Sequence, residues 1–371
     1  MCAREGADFS ALTSSWAPFI VVAGSLLKPG GRMAFIVPAE IGHSTYAVPL
    51  LDSLTKNFGR VVVIAVKEKI FPQLSEDVWL LYAEGRGGKS VRIELAIWER
   101  FQASQSPPDQ TKKVTLRSLS EHGGRLRKFL LPDRILDYYA ELAGSAGVVK
   151  FGSVARISIG YVTGANHFFH LRPSVAERLG IPWSVLKVAV RKGEHLSRRS
   201  IDKRVVASWL RADEQVLLLD LSRAEPIPDS VNAYLNTKEA HEARQSYKCR
   251  NRDPWYVVPD VYPPDAFLSY MSGRRPNLVS NPAGCVCTNS VHAVRLREAV
   301  SIRPVLNAWE HPLCDLSKEL EGHPLGGGLL KLEPGEAGRI LLPLNVSDGS
   351  GLDYELLKEG VNIAQSWRHY V

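Results

Sequence analysis

Long apolar runs are scarce in this chain of 371 residues. The longest candidate, Phe19 to Leu27, is interrupted by Gly24 and Ser25 and closed by Lys28-Pro29-Gly30-Gly31. It falls short of the roughly 18 to 20 residues that cross a bilayer. The first residues carry Glu5 and Asp8 and no signal-peptide apolar segment. No membrane partner is expected, and the expected location is cytoplasmic. Cysteine is sparse too. Cys285 and Cys287 form a CxC pair, while Cys2, Cys249 and Cys314 stand apart. With no CxxC and no paired Cys/His spacing, neither a zinc site nor a disulfide framework is expected, and no metal is assigned. Hydrophobic residues at 45% and charged residues at 23% exclude a collagen-like or wholly disordered chain. A chain of this length buries large cores without staples, and two domains are expected.

Several catalytic signatures are missing. There is no GxGxxG, GxSxG, HExxH or EF-hand pattern. Gly326-Gly327-Gly328 is the tightest glycine cluster, but no strand-then-helix pattern surrounds it. Gly85-Arg86-Gly87-Gly88-Lys89-Ser90 ends like a phosphate-binding loop. Ala83 stands where such a loop needs glycine, and the segment leads into a strand, so it reads as a hairpin turn. His241, His292, His311 and His323 do not cluster at ligand spacing.

What is present reads as α/β. Trp16, Phe19, Ile20, Ala23, Leu26 and Leu27 fall at helical spacing on one apolar face, stopped by Lys28-Pro29-Gly30-Gly31. Met33 to Val37 is a continuous apolar run, as in a strand covered on both faces. Ser44 is placed to cap a second helix carrying Tyr46, Leu50, Leu51, Leu54 and Phe58, ended by Gly59. Val61 to Val66 is a second buried strand, and Val78–Ala83 with Val91–Ile97 read as an antiparallel hairpin. The order resembles the end of an open, doubly wound sheet. Residues 102–113 are polar and read as a connection, and Leu126 to Leu142 reads as a helix. Beyond about residue 148, short strands and turns predominate, marking a second, mixed α/β domain.

Charge is uneven. Between residues 185 and 210, Lys187, Arg191, Lys192, Arg198, Arg199, Lys203 and Arg204 face only Glu194 and Asp202. Such a concentration suits either a polyanion partner or a solvated basic loop.

Beyond this generic pattern, Leu26-Leu27-Lys28-Pro29-Gly30-Gly31 with Met33–Val37 and Pro38 resembles the LLKPGG-strand-Pro segment of class I S-adenosylmethionine-dependent methyltransferases. Ile70-Phe71-Pro72-Gln73 followed by Val78-Trp79-Leu80-Leu81 is similar to the Phe-Pro-Gln segment of TaqI-like N6-adenine-specific DNA methyltransferases. Gly160-Tyr161-Val162-Thr163-Gly164-Ala165-Asn166-His167-Phe168-Phe169 resembles the opening of their target-recognition domains. Asn281-Pro282-Ala283-Gly284 through Ser290, and Gly326 through Pro334, resemble later blocks. The resemblance implies the C-terminal part of a Rossmann-like catalytic domain over 1–115 and a connecting helical segment over 116–147. It further implies a DNA target-recognition domain over 148–345 and a tail over 346–371.

By position, Phe71 matches the family's second stacking aromatic for a flipped adenine, the other reading being a core plug beside Pro72; Lys69 and Gln73 read either as bordering that pocket or as solvated loop residues. In the second domain the resemblance points to double-stranded DNA as the partner, with Asn166, Lys187, Arg191, Lys192, Arg198, Arg199, Arg274 and Arg275 as contacts. The implied cofactor is S-adenosylmethionine, and the implied setting is a restriction-modification or phage-defence system. The family's cofactor loop and catalytic NPPY normally precede the LLKPGG helix, which here starts within 16 residues of Met1. Asp253-Pro254-Trp255-Tyr256 has the outline of DPPY, with Trp255 in place of the second proline. The chain by itself is therefore expected to be incomplete. The alternatives are a non-catalytic DNA-binding specificity subunit completed in trans, and a decayed gene product.

Overall fold

A computed structural model describes residues 1–104, 106–223, 226–345 and 352–369. The chain forms two compact units: 1–140 with 323–329 and 355–371, and 141–322 with 330–354. Among the described residues, no helix is long and apolar enough to cross a membrane.

The first unit is built on five strands, β1 (Arg32–Pro38), β2 (Phe58–Val66), β3 (Val78–Arg86), β4 (Arg92–Trp98) and β5 (Lys112–Thr115), in the spatial order β1-β3-β2-β4-β5. Strand β3 is antiparallel to both β1 and β2, and β4 is parallel to β2. The expected hairpin of Val78–Ala83 with Val91–Ile97 is therefore wrong. β3 and β4 lie on opposite sides of β2, and the Gly85–Gly88 turn carries the chain across it. The reason is compositional: Val61–Val66 is buried throughout, so β2 takes the centre with a strand on each side.

Helices α1 (Trp16–Ser25) and α2 (Ala47–Asn57) cover this sheet. The buried face of α1 is Ala17, Ile20, Val21 and Gly24, while Phe19 and Leu26, expected on that face, are exposed. Gly24 lies on the contact side because a side chain there would press on the ring of Phe58. β1 is not covered on both faces as its run suggested: only Val37 is buried and Ile36 is 55% exposed. β1 is an edge strand of the five. Ser44 does not cap α2, whose first turn has no side-chain cap, and Phe58 opens β2 with extended backbone.

The Leu126–Leu142 stretch is not one helix. A 3-10 turn over Leu126–Leu130 gives way at Leu131-Pro132 to a helix over Asp133–Ala143, because the residue before proline is driven out of helical backbone. Residues 116–140, expected as a connector, group with the first unit, as does the helix Tyr354–Ser366 from Glu355 onward, expected in a tail. The tail's residues 346–351 lie outside the described residues.

The second unit contains β6 (Val148–Lys150), β7 (Ala155–Ile159), β8 (His170–Leu171), β9 (Leu186–Val190), β10 (Leu217–Leu219), β11 (Ala266–Ser269), β12 (Met271–Ser272), β13 (Leu278–Ser280), β14 (Val286–Cys287) and β15 (Val291–Leu296). Two four-stranded sheets organise it, β14-β9-β10-β8 and β13-β11-β15-β7. Its cores gather around Trp309, Phe151 and Phe267, and around Phe168, Phe169 and Trp255. Trp255 and Tyr256 thus belong to packed aromatic clusters. All five cysteines are free, and burial pushes Cys285, Cys287 and Cys314 up to about 12, leaving them thiols at neutral pH.

His170 is fully buried on β8. Its Nδ1 is 3.1 Å from the Asn166 carbonyl and its Nε2 is 2.8 Å from the Tyr161 hydroxyl. A neutral ring satisfies both, donating from Nδ1 and accepting at Nε2. Burial, then the nearby Arg191, lowers its pKa from 6.5 to about 3. The unfolded chain therefore binds a proton that the folded chain refuses between those values. This contribution is complete above pH 6.5 and falls by about 1.4 kcal/mol per pH unit as the solution is acidified. His170→Gln should show a correspondingly shallower acid loss in urea titrations from neutral pH downward. Equal acid slopes in the two proteins would show that His170 titrates normally.

Candidate functional site

In the first unit β1, β2 and β4 run the same way, and their carboxyl ends, Pro38, Val66 and Trp98, meet at one edge of the sheet. Ligand sites of open α/β sheets form outside such ends. The segment 67–77 leaves this edge and returns to it. Lys67 and Glu68 continue the parallel ladder by donating to the carbonyls of Trp98 (2.9 Å) and Glu99 (3.0 Å). Asp77 closes the return by accepting from the Ala39 amide at 2.9 Å. Between these anchors Phe71 to Leu74 makes a turn closed by a 3.0 Å bond. Phe71 is half-buried, and Pro72 to Glu76 are exposed. Among the described residues, the Phe71 ring is a member of neither the cluster around Leu50, Leu51 and Phe58 nor the one around Val62, Ile64 and Leu80. That departs from the behaviour of a core plug.

A second set of residues holds this loop. A Cβ placed on Gly326 would lie 1.8 Å from the Ser75 carbonyl oxygen, so the two backbones touch and only glycine fits. Lys69 Nζ reaches the same carbonyl at 3.4 Å. His369 Nε2 lies 3.2 Å from Asp77 Oδ1. The buried guanidinium of Arg368 donates to the Gly328 carbonyl, and Trp367 meets Trp79 edge to face at 6.5 Å. His43 stacks on His323 at 5.3 Å. Burial, then His323, Arg127 and Arg125, holds the pKa of His43 well below its ordinary value, so the ring is neutral. Gly326 to Gly328, which the resemblance placed in the 148–345 domain, groups with the first unit and is the strap that seats the Phe71 loop.

In the second unit the Gly160–Phe169 motif packs by necessity. A Cβ on Gly160 would lie 2.2 Å from the Cys287 carbonyl. The Tyr161 amide and carbonyl bond to Cys287 and Asn289, and Arg252 donates to the carbonyls of Val162 and Thr163. Asn281 is structural: its side chain bonds Pro264, and accepts from and donates to Cys285.

The eight expected DNA contacts do not form one set. Lys187, Lys192, Arg198 and Arg199 are exposed, Lys192 with Glu194 at 3.7 Å. Arg191 is half-buried and its guanidinium holds the Gln215 carbonyl and side chain at 2.6 and 3.0 Å. Asn166 accepts from Thr163 at 2.7 Å at the start of a short helix. Arg275 is paired with Asp315 at 2.9 Å, and Arg274 beside it is exposed. Sequence reasoning missed a cleft of about 740 Å³ lined by Arg156, Gly160, Tyr161, Val162, Tyr247, Lys248, Arg252, Tyr262 and Arg295. Its cations come from distant stretches of chain, so no local charge run announced it. The nearest signal was the Gly160-Tyr161-Val162 motif, which forms one wall.

Residues 124–365 match the family model described as Type II methyltransferase M.Eco57I, C-terminal domain. Type II methyltransferase M.AccI of Acinetobacter calcoaceticus is 20% identical over 381 residues, covering 97% of this chain and 67% of that protein. Type II methyltransferase M.XamI of Xanthomonas campestris pv. amaranthicola is 28% identical over 208 residues, covering 53% of this chain and 37% of that protein. Among solved structures, the Type IIL restriction-modification enzyme MmeI in complex with DNA aligns over 88% of this chain and 40% of its own, with a TM-score of 0.48 and 12% identity. The chain thus spans 67% of M.AccI and well under half of M.XamI and MmeI.

Gly326→Ala tests the strap. The added methyl has no room against the Ser75 carbonyl, so the loop must shift, at a cost of roughly 1–3 kcal/mol. Amide hydrogen exchange over residues 67–77 should quicken while the β2 amides stay protected. Unaltered exchange in that loop would show that Gly326 does not hold it.

Proposed function

The chain belongs to the Type II methyltransferase M.Eco57I C-terminal domain family, and from that premise we propose that it serves site-specific DNA methylation at the exocyclic amine of adenine. The observation that carries this reading is Phe71: a half-buried ring outside the two clusters named above, on an anchored loop at the carboxyl ends of three parallel strands. A base must leave the stack to be methylated and needs an aromatic or apolar face to rest on. Phe71 supplies that face, Lys69 and Gln73 border it, and the Gly326 strap keeps it at a fixed height. The second unit is the target-recognition part, with Lys187, Lys192, Arg198 and Arg199 among its phosphate contacts. The amine's lone pair is delocalised into the ring, so holding and orienting it is the main task of such a site.

S-adenosylmethionine is the methyl donor this reading implies. The residues described do not by themselves fit it. Gly85–Gly88 leads from a strand to a strand, and the backbone space at Gly326 is filled by the Ser75 carbonyl. Among the described residues, β1 presents an unpaired edge, with Ile36 on it and Phe19 and Leu26 of the preceding helical segment exposed. This edge favours completion of the sheet by a further segment carrying the cofactor loop and tetrapeptide, within one polypeptide or in trans. The trans arrangement is the second reading, a specificity subunit.

In the completed enzyme, Phe71→Ala should weaken binding of a DNA site with an intact target adenine by roughly 1–3 kcal/mol. Affinity for the same site with an abasic target should hold. Equal losses on both DNAs would assign Phe71 a structural role. Replacing Arg198 and Arg199 with Ala should flatten the dependence of duplex affinity on salt, read by fluorescence anisotropy. An unchanged slope would remove that segment from the interface.

A further inference from the structure

Arg156 on β7 and Arg295 on β15 are direct cross-strand partners. Residues so paired share one face of the sheet with Cβ atoms about 4.5–5.5 Å apart, and like charges there are destabilising. Among the described residues neither arginine has an ion-pair partner. Both line the 740 Å³ cleft, where they, Lys248 and Arg252 face a single carboxylate, Asp260. Arg252 holds the Val162 and Thr163 carbonyls, which fixes its position but leaves its charge uncompensated. Arg295 is also pre-set. The Arg295 guanidinium lies over the Tyr262 ring at 4.4 Å, and the Tyr262 hydroxyl is tied to Ser158 at 2.7 Å. Two exposed arginines leaving one sheet face side by side, one of them stacked in place, are a poor arrangement for folding alone. An anion between them reverses the sign of the interaction, and the planar guanidinium fork matches phosphate oxygens.

We propose that Arg156 and Arg295 clamp a backbone phosphate of the DNA, with Tyr247 and Lys248 also lining the cleft. The inference rests on the DNA reading above and deepens it. The clamp sets register on the duplex and does not read base identity, since phosphate contacts carry no sequence information directly. A free inorganic phosphate would satisfy the same pair, so the experiment separates the two sources.

The full chain is compared with Arg156→Gln, Arg295→Gln and the double variant. Without DNA, the variants should melt no lower than the parent, because removing one like charge relieves repulsion. On duplex DNA, each single variant should bind at least about fivefold more weakly. The double variant should lose about one from the slope of log affinity against log salt. Inorganic phosphate at matched ionic strength is the second probe, read by thermal shift. Parent-like DNA affinity and slope in the double variant overturn the clamp while leaving DNA binding intact. Thermal stabilisation by phosphate that the substitutions abolish, with DNA affinity unchanged, assigns the pair to a small anion and likewise overturns it. Variants that melt lower and bind DNA less in proportion make the pair structural. A parent chain that binds no duplex overturns the DNA reading itself, and this inference with it.

Discussion

Strand β3, running antiparallel between β1 and β2, governs the first unit. Because it reverses direction there, β1 and β2 stay parallel to each other, and β4 joins β2 in the same sense. Three carboxyl ends are thereby brought to one edge, and the segment 67–77 must start and finish there. The backbone bonds at Lys67, Glu68 and Asp77 follow from this geometry. So does the exposure of the turn between them, since no neighbouring strand can cover it. A hairpin of β3 with β4 would have left β1 and β2 as neighbours and given the Phe71 loop a different return point.

The same edge explains the remote contacts. A loop of eleven residues with most of its tip exposed has little hydrophobic burial of its own to fix it. Contacts from far along the chain supply what local burial does not: Gly326 against Ser75, His369 beside Asp77, Arg368 on Gly328. Glycine at 326 is a matter of space, because the carbonyl of Ser75 occupies the place of a side chain. The neutral ring of His43, stacked on His323 beside Arg125 and Arg127, has a similar basis, since burial disfavours another charge there.

In the second unit, charge is arranged by fold and not by segment. The 185–210 run looked like a footprint, yet Arg191 within it is a structural ligand of Gln215. Arg275, equally basic in the sequence, is neutralised by Asp315. Meanwhile Arg156 and Arg295, 139 positions apart, are adjacent across a ladder. Coulomb energies depend on separation in space and on burial, and neither is carried by local composition.

Taken alone, the sequence determined the α/β character and the positions of β1, β2 and α1. These follow from runs of apolar residues, helix stops and spacing, which act over a few residues. It also marked Phe71 and the Gly160–Phe169 segment through their motifs. Only the tertiary structure decided that β3 inserts between β1 and β2, that Phe19 and Leu26 face outward, and that proline splits Leu126–Leu142. It alone placed Gly326 on Ser75 and opposed Arg156 to Arg295. Strand order, helix rotation and contacts between distant residues depend on which buried surfaces compete for the centre of a sheet. That competition is settled by the whole chain at once, and a local pattern does not record its outcome.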